Sequence, residues 1–225
     1  GKNAEKDSTK WDENDGDEEY KTTLTMAAAG INFKKIIGNR TYFQTTIAAT
    51  ENSINWTQNQ YNSLFNLIPK KILSDHRWKY SFSSFINHKF NAKHTNKTGF
   101  ILNRLMYNID ISNSNSINDP LVSLVSANNG KNLFQFYSQS KINLCDNLNI
   151  NVGLHSQYFE LNNNYTYEPR IGLSYEVSPQ HSISTAYGLH TQLEIIHLYL
   201  LQQTTTDGET YTPNKNLGFN KSHHF

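Results

Sequence analysis

A single cysteine, Cys145, serves all 225 residues, so there is no intrachain disulfide framework and the redox compartment stays unassigned. No run of about 18 apolar residues exists to make a spanning helix; the most apolar stretch, Leu193 to Leu201, is broken by Glu194 and His197. Hydrophobic residues make up 36% of the chain, below the roughly 45–50% usual in globular domains. That deficit fits a molecule with a large wet interior. The opening GKNAEKDSTK lacks the basic start and apolar centre of a signal peptide, so the chain is read as mature or as a piece of something longer. Phosphate-cradling glycine loops and a basic stripe are missing too, which excludes nucleic acid as a partner.

Charge is present but unevenly placed. The net charge is +1, yet residues 1–20 hold three lysines against eight acids. This segment reads as an acidic, solvated external loop. WDENDGDEE within it only superficially resembles a calcium loop, because the glycine and the final Glu fall at the wrong spacings.

What the sequence has in quantity is alternation. In YEPRIGLSYEVSPQHSISTAYGLH, residues 167–190, Tyr167, Ile171, Leu173, Tyr175 and Val177 share one parity, opposite Glu168, Arg170, Ser174 and Glu176. A two-residue period means β-strand, since successive side chains point to opposite faces. The pattern predicts eight strands, at 21–36, 39–51, 76–92, 97–111, 132–143, 147–161, 165–177 and 180–191, with another beginning within 214–225. Tight turns of Gly, Asn, Asp and Pro chemistry join them on one edge. On the other edge lie 52–75, 112–131, 162–164 and 192–213, three of them long and polar.

Several of these strands are longer than the five or six residues of an average globular strand, and long enough to cross a bilayer at about 9–11 residues. In the third strand Trp78, Tyr80, Phe82 and Ile86 oppose Arg77, Lys79 and Lys89. Placing that charged face in lipid would cost roughly 2–4 kcal/mol per Arg or Lys, so the apolar face is expected outside and the lumen polar. Trp78, Tyr80, Tyr107, Tyr158 and Tyr167 are expected to form an aromatic belt toward the long-loop edge, with Phe33, Phe90 and Tyr175 toward the other. The expected fold class is all-β, an antiparallel transmembrane β-barrel with long external loops and short periplasmic turns, located in a cell outer membrane. A small complete barrel acting as an adhesin or structural protein, and a soluble β-sandwich binding module, are the alternatives.

Five sequence features carry a family resemblance: Glu168-Pro169-Arg170, the Ser178-Pro179 turn, Tyr187 to His190, Asn214 to Leu217, and Ser222 to Phe225. Over residues 147–225 the chain resembles the central barrel of a TonB-dependent receptor, an outer-membrane active transporter of Gram-negative bacteria. KKIIGNRTYFQTTIAAT resembles the same family more loosely. The resemblance implies a barrel of about 22 strands closed by an N-terminal plug, uptake of an unknown substrate into the periplasm, and coupling to a TonB complex. This chain would contribute residues 21–225 as a barrel segment, in contact with outer-membrane lipid and lipopolysaccharide.

No nucleophile, base and orienting partner come together in the sequence, so no catalytic residue is assigned and enzyme activity is not expected. No cofactor is implied. Adjacent His223 and His224 face opposite sides of a strand and cannot share an ion, and His155 with His190 lacks a third ligand; no metal site is assigned. Ligand contact, if made by this wall, falls to polar-face residues toward the loop edge: Gln157, Arg170, His190 and Gln192, with His155 deeper. Leu193 to Leu201 is expected to form a short helix or inward-folded segment that packs against its neighbours.

Overall fold

The computed structural model describes residues 3, 4, 7–10 and 17–225. Half of the acidic segment 1–20, including residues 11–16, lies outside the described residues. Eight long strands follow in chain order: β1 (Glu18–Ile37), β2 (Thr41–Tyr61), β3 (Leu67–Lys89), β4 (His94–Asn113), β5 (Val122–Cys145), β6 (Leu148–Phe159), β7 (Asn164–Ser178) and β8 (His181–Gln192). A single helical turn, α1 (Ile196–Tyr199), and a two-rung hairpin, β9 (Gln203–Thr204) with β10 (Thr210–Tyr211), precede β11 (Asn220–His224). β1 to β8 and β11 form one nine-stranded antiparallel sheet in sequential order. From β1 to β8 each strand pairs with the next through a short connection, as hairpin chemistry favours, and β11 pairs with β8 across the longer 193–219. Gly38 at φ 65° supplies the left-handed position of the β1–β2 turn.

The topology does not favour the soluble sandwich: among the described residues there is one large sheet and no second large sheet to face it. The long connections are corrected. Of 52–75, only 62–66 lies outside β2 and β3, and of 112–131 only 114–121 lies outside β4 and β5. The backbone ladder continues there although the alternation of apolar side chains has stopped. Only 193–219 remains a long connection. β5 therefore runs for 24 residues against 12 in β6, and β1–β5 rise on the long-connection side well beyond β6–β8.

Register fixes the two faces, because directly paired residues point the same way. Ile31, Ile47, Phe82, Leu102, Phe134, Tyr158 and Tyr165 form one unbroken row across seven strands. The neighbouring rows add Phe33, Phe100, Phe136 and Tyr167 on one side and Tyr80 on the other. On β6–β8 the same face carries Val152, Ile171, Leu173, Tyr175 and Ile183. All of these side chains but the half-buried Leu102 are exposed, Ile31 by 78% and Phe136 by 51%.

The opposite face is mostly polar, with Leu24, Met26 and Ile36 of β1 exposed on it and one apolar area that the chain itself covers. Leu133 and Phe159 pack with Tyr199 and Phe219, while Tyr107, Ile109 and Val125 pack beneath Ile196, Leu200 and Leu201. Ile196 and Leu200 touch both groups, so they form one core. Tyr199 and Ile109 are 0% exposed. Leu193–Leu201 forms the expected short helix and folds inward, but it packs on strand residues of β4–β6 rather than on neighbouring external loops. Tyr107 is a correction: it points to the polar face and is buried under this segment, so it is no member of an outward belt. Phe219 packs into this core, and the ninth strand, expected within 214–225, begins at Asn220.

Candidate binding site on the polar face

The best-ordered polar group on this face is centred on Glu168. β7 sets it directly across from His155 of β6, a consequence of the short 160–163 connection that fixes the hairpin register. Glu168 is 1% exposed. Its Oε1 accepts from Gln157 Nε2 at 2.7 Å and from the Thr191 hydroxyl at 2.7 Å, and its Oε2 accepts from Arg170 Nη2 at 2.8 Å. His155 Nδ1 lies 3.1 Å from Oε1 but outside hydrogen-bonding geometry, so that contact is electrostatic; its Nε2 sits 3.3 Å from Gln135 Oε1. A carboxylate this buried persists only when its lone pairs are met by donors and its charge by a cation, and here both conditions are satisfied.

Beside this group opens a cleft of about 540 Å³, within the size range of small-ligand sites. His155, Arg170 and His190 line it, with Tyr137 and His224 opposite. Its floor is made of small residues, Gly153, Gly172, Ala186 and Gly188, which register places around Arg170. A Cβ on Gly188 would stand 3.0 Å from His190 Nε2, so glycine there lets the imidazole lie over the strand. His190 packs edge-on against His224 at 4.9 Å, and His223 turns the other way to the Tyr187 hydroxyl at 3.0 Å.

Of the five residues expected to meet a ligand, the structure brings His155, Arg170 and His190 to one cleft. Gln157 is 8% exposed and spends its amide on Glu168 and Thr191, so its place is to hold Arg170's partner. Gln192 lies apart. It borders a second cleft of about 530 Å³ between the 193–196 backbone and β2–β4. Sequence reading missed Glu168 as the centre of the cluster, and the signal was available: counting back from the 160–163 turn pairs it with His155.

A second polar cluster anchors the inward segment. Asp75, 3% exposed, accepts from Arg77 Nε at 2.7 Å and also from Arg77 Nη2. The same Nη2 lies 3.4 Å from His197 Nδ1, an approach that suits a neutral imidazole accepting from the guanidinium. Burial first, then Arg77, pushes the His197 pKa below its ordinary value, with Asp75 opposing.

No family model matches this chain, and no curated protein matches it. Among solved structures the fold is similar to a chain of the RagAB peptide importer in its closed-closed state, with a TM-score of 0.58 at 10% identity. The match covers 91% of this chain and 28% of that one, so this chain spans little more than a quarter of the importer chain's length. At that identity the likeness shows the fold alone: an all-β, barrel-type antiparallel wall.

Proposed function

We propose that this chain is part of the barrel wall of a TonB-dependent outer-membrane receptor, which binds substrate outside the cell and passes it into the periplasm. The apolar row from Ile31 to Tyr165 carries this reading. Seven strands expose bulky side chains in one band on one face, far more than a soluble surface tolerates. Covering that band with hydrocarbon removes the cost, at roughly 25 cal/mol per Å² of apolar area. The other face then lines a wet lumen. β1 and β11 each have one partner among the described residues, leaving two edges open to further strands, as a larger barrel provides and lipid forbids.

Strand length supports the same placement. A 24-residue strand spans about 80 Å at 3.3 Å per residue, against an apolar band about 25 Å tall in outer-membrane barrels. The loop-side halves of β1–β5 would stand outside the membrane. Lipopolysaccharide, a plug and a TonB complex are the partners this reading supplies through the whole protein. The wall itself does no chemistry; it scaffolds, and its clefts offer recognition.

Membrane fractionation of cells making the whole protein tests the proposal. We expect the protein in the outer-membrane fraction, resistant to alkaline wash and released only by detergent. Recovery as a soluble monomer in plain buffer contradicts it.

A further inference from the structure

Charge along β1–β5 is sorted by height. In their short-turn halves and the two turns between them, residues 33–49, 80–103 and 133–145 contain no Asp or Glu but seven cations: Lys34, Lys35, Arg40, Lys89, Lys93, Lys97 and Lys141; the nearest acids at that end are Asp146 in the β5–β6 turn and Glu176 on β7. The acids of these strands, Glu18, Glu19, Glu51, Asp75 and Asp110, all stand toward the other end. Register turns Lys34, Lys89, Lys97 and Lys141 to the polar face, in three successive cross-strand layers. Lys89 and Lys141 flank Thr95 within a single layer.

Among the described residues none of the four is ion-paired, and Lys34, Lys89 and Lys141 are exposed. Two of them are held in place by rings. Lys34 Nζ lies 4.3 Å from the centre of the Tyr42 ring, and Lys97 Nζ lies 4.0 Å from Phe85 and 5.8 Å from Tyr137. Gly99 makes room for that second cradle: a Cβ there would meet Phe85 Cβ at 2.5 Å and the Tyr137 hydroxyl at 2.8 Å. Like charges gathered without counter-charges repel one another, and an anionic partner relieves that repulsion.

We infer that this patch is a docking surface for an acidic polypeptide segment laid across the short-turn end of the polar face. Several features select a polypeptide. The lysines face away from the apolar band, so lipid headgroups beside that band do not reach them. From β1 to β5 the patch is about 19 Å wide at ~4.8 Å per strand, too broad for one small anion. Gln44, Asn87, Thr95 and Gln139 stand between the cations on the same face and supply hydrogen-bond partners for a peptide backbone. The charge sorting belongs to the sheet itself and does not depend on what the apolar face touches.

The test uses the whole protein in detergent micelles and a fluorescent octaglutamate peptide, read by anisotropy. Binding is expected at low salt and should weaken at least tenfold in 0.5 M NaCl, as screening requires. K97Q/K141Q should weaken it about tenfold. K79Q/K131Q removes two charges from the same face at mid-strand, outside the patch, and should leave it within twofold, with circular dichroism confirming both variants folded. Equal loss in both pairs, equal binding of octalysine, or displacement by phosphatidylglycerol vesicles or by inorganic phosphate at matched charge would overturn the inference.

Discussion

Two apolar surfaces on this sheet meet opposite fates. On the polar face, Leu133, Phe159, Tyr107, Ile109 and Val125 are covered by the chain's own 193–201 segment and lose nearly all exposure. On the other face, Ile31, Ile47, Phe82, Phe134 and Tyr165 stay open, and among the described residues no segment folds back over them. Under the proposed function the covered surface faces the wet lumen and the bare one faces hydrocarbon, so the difference is what two solvents on one sheet would produce.

Breaking the covered side should have the largest effect. Phe159→Ala removes a ring that packs edge-on against Tyr199 at 5.6 Å and should cost about 3–5 kcal/mol. Hydrogen exchange should show residues 196–200 losing protection while the β6–β7 ladder keeps its own. The bare side responds to charge instead of to volume. Leu154→Arg, on the outward face of β6, should cost about 2–4 kcal/mol at mid-depth in bilayer unfolding titrations, and little if that side chain meets water. The converse swap, Gln157→Leu on the polar face, takes one donor from the buried Glu168 and should cost about 1–3 kcal/mol in the same titration.

The smallest effect comes from acid. The His197 pKa is held below its ordinary value of about 6.5, so the opened segment binds a proton more readily than the closed one. Closure is then at full strength above pH 6.5 and weakens as pH falls through and below it. Protection of the 196–200 amides should drop between pH 7.5 and 5.5, and His197→Gln should flatten that dependence.

This contrast explains what could be read from the sequence. The order of eight strands, the tight turns and the set from Trp78 to Ile86 on one face followed from alternation, because a sheet with one apolar and one polar face must alternate. Past about Glu51 and before Arg77 that contrast fades: the stretch from Asn52 to Gln58 carries polar residues at both parities, and the strand continues on backbone pairing. The period vanished there although the strand did not. Tyr107 was misplaced for the reverse reason: its row is polar elsewhere and turns apolar only where 193–201 lands, a tertiary contact that no local pattern encodes. The Glu168 cluster was half legible, with His155, Gln157 and Arg170 chosen by parity and their shared partner missed.

The most direct measurement places bimane on single cysteines in a Cys145→Ala background, reconstituted in vesicles with lipids brominated on the acyl chain. At Val152, Leu173 and Ile183 the account predicts strong quenching by bromine, and at Ile109 and Leu133 none. Unquenched labels at the first three positions, with spectra matching the buried pair, would contradict it.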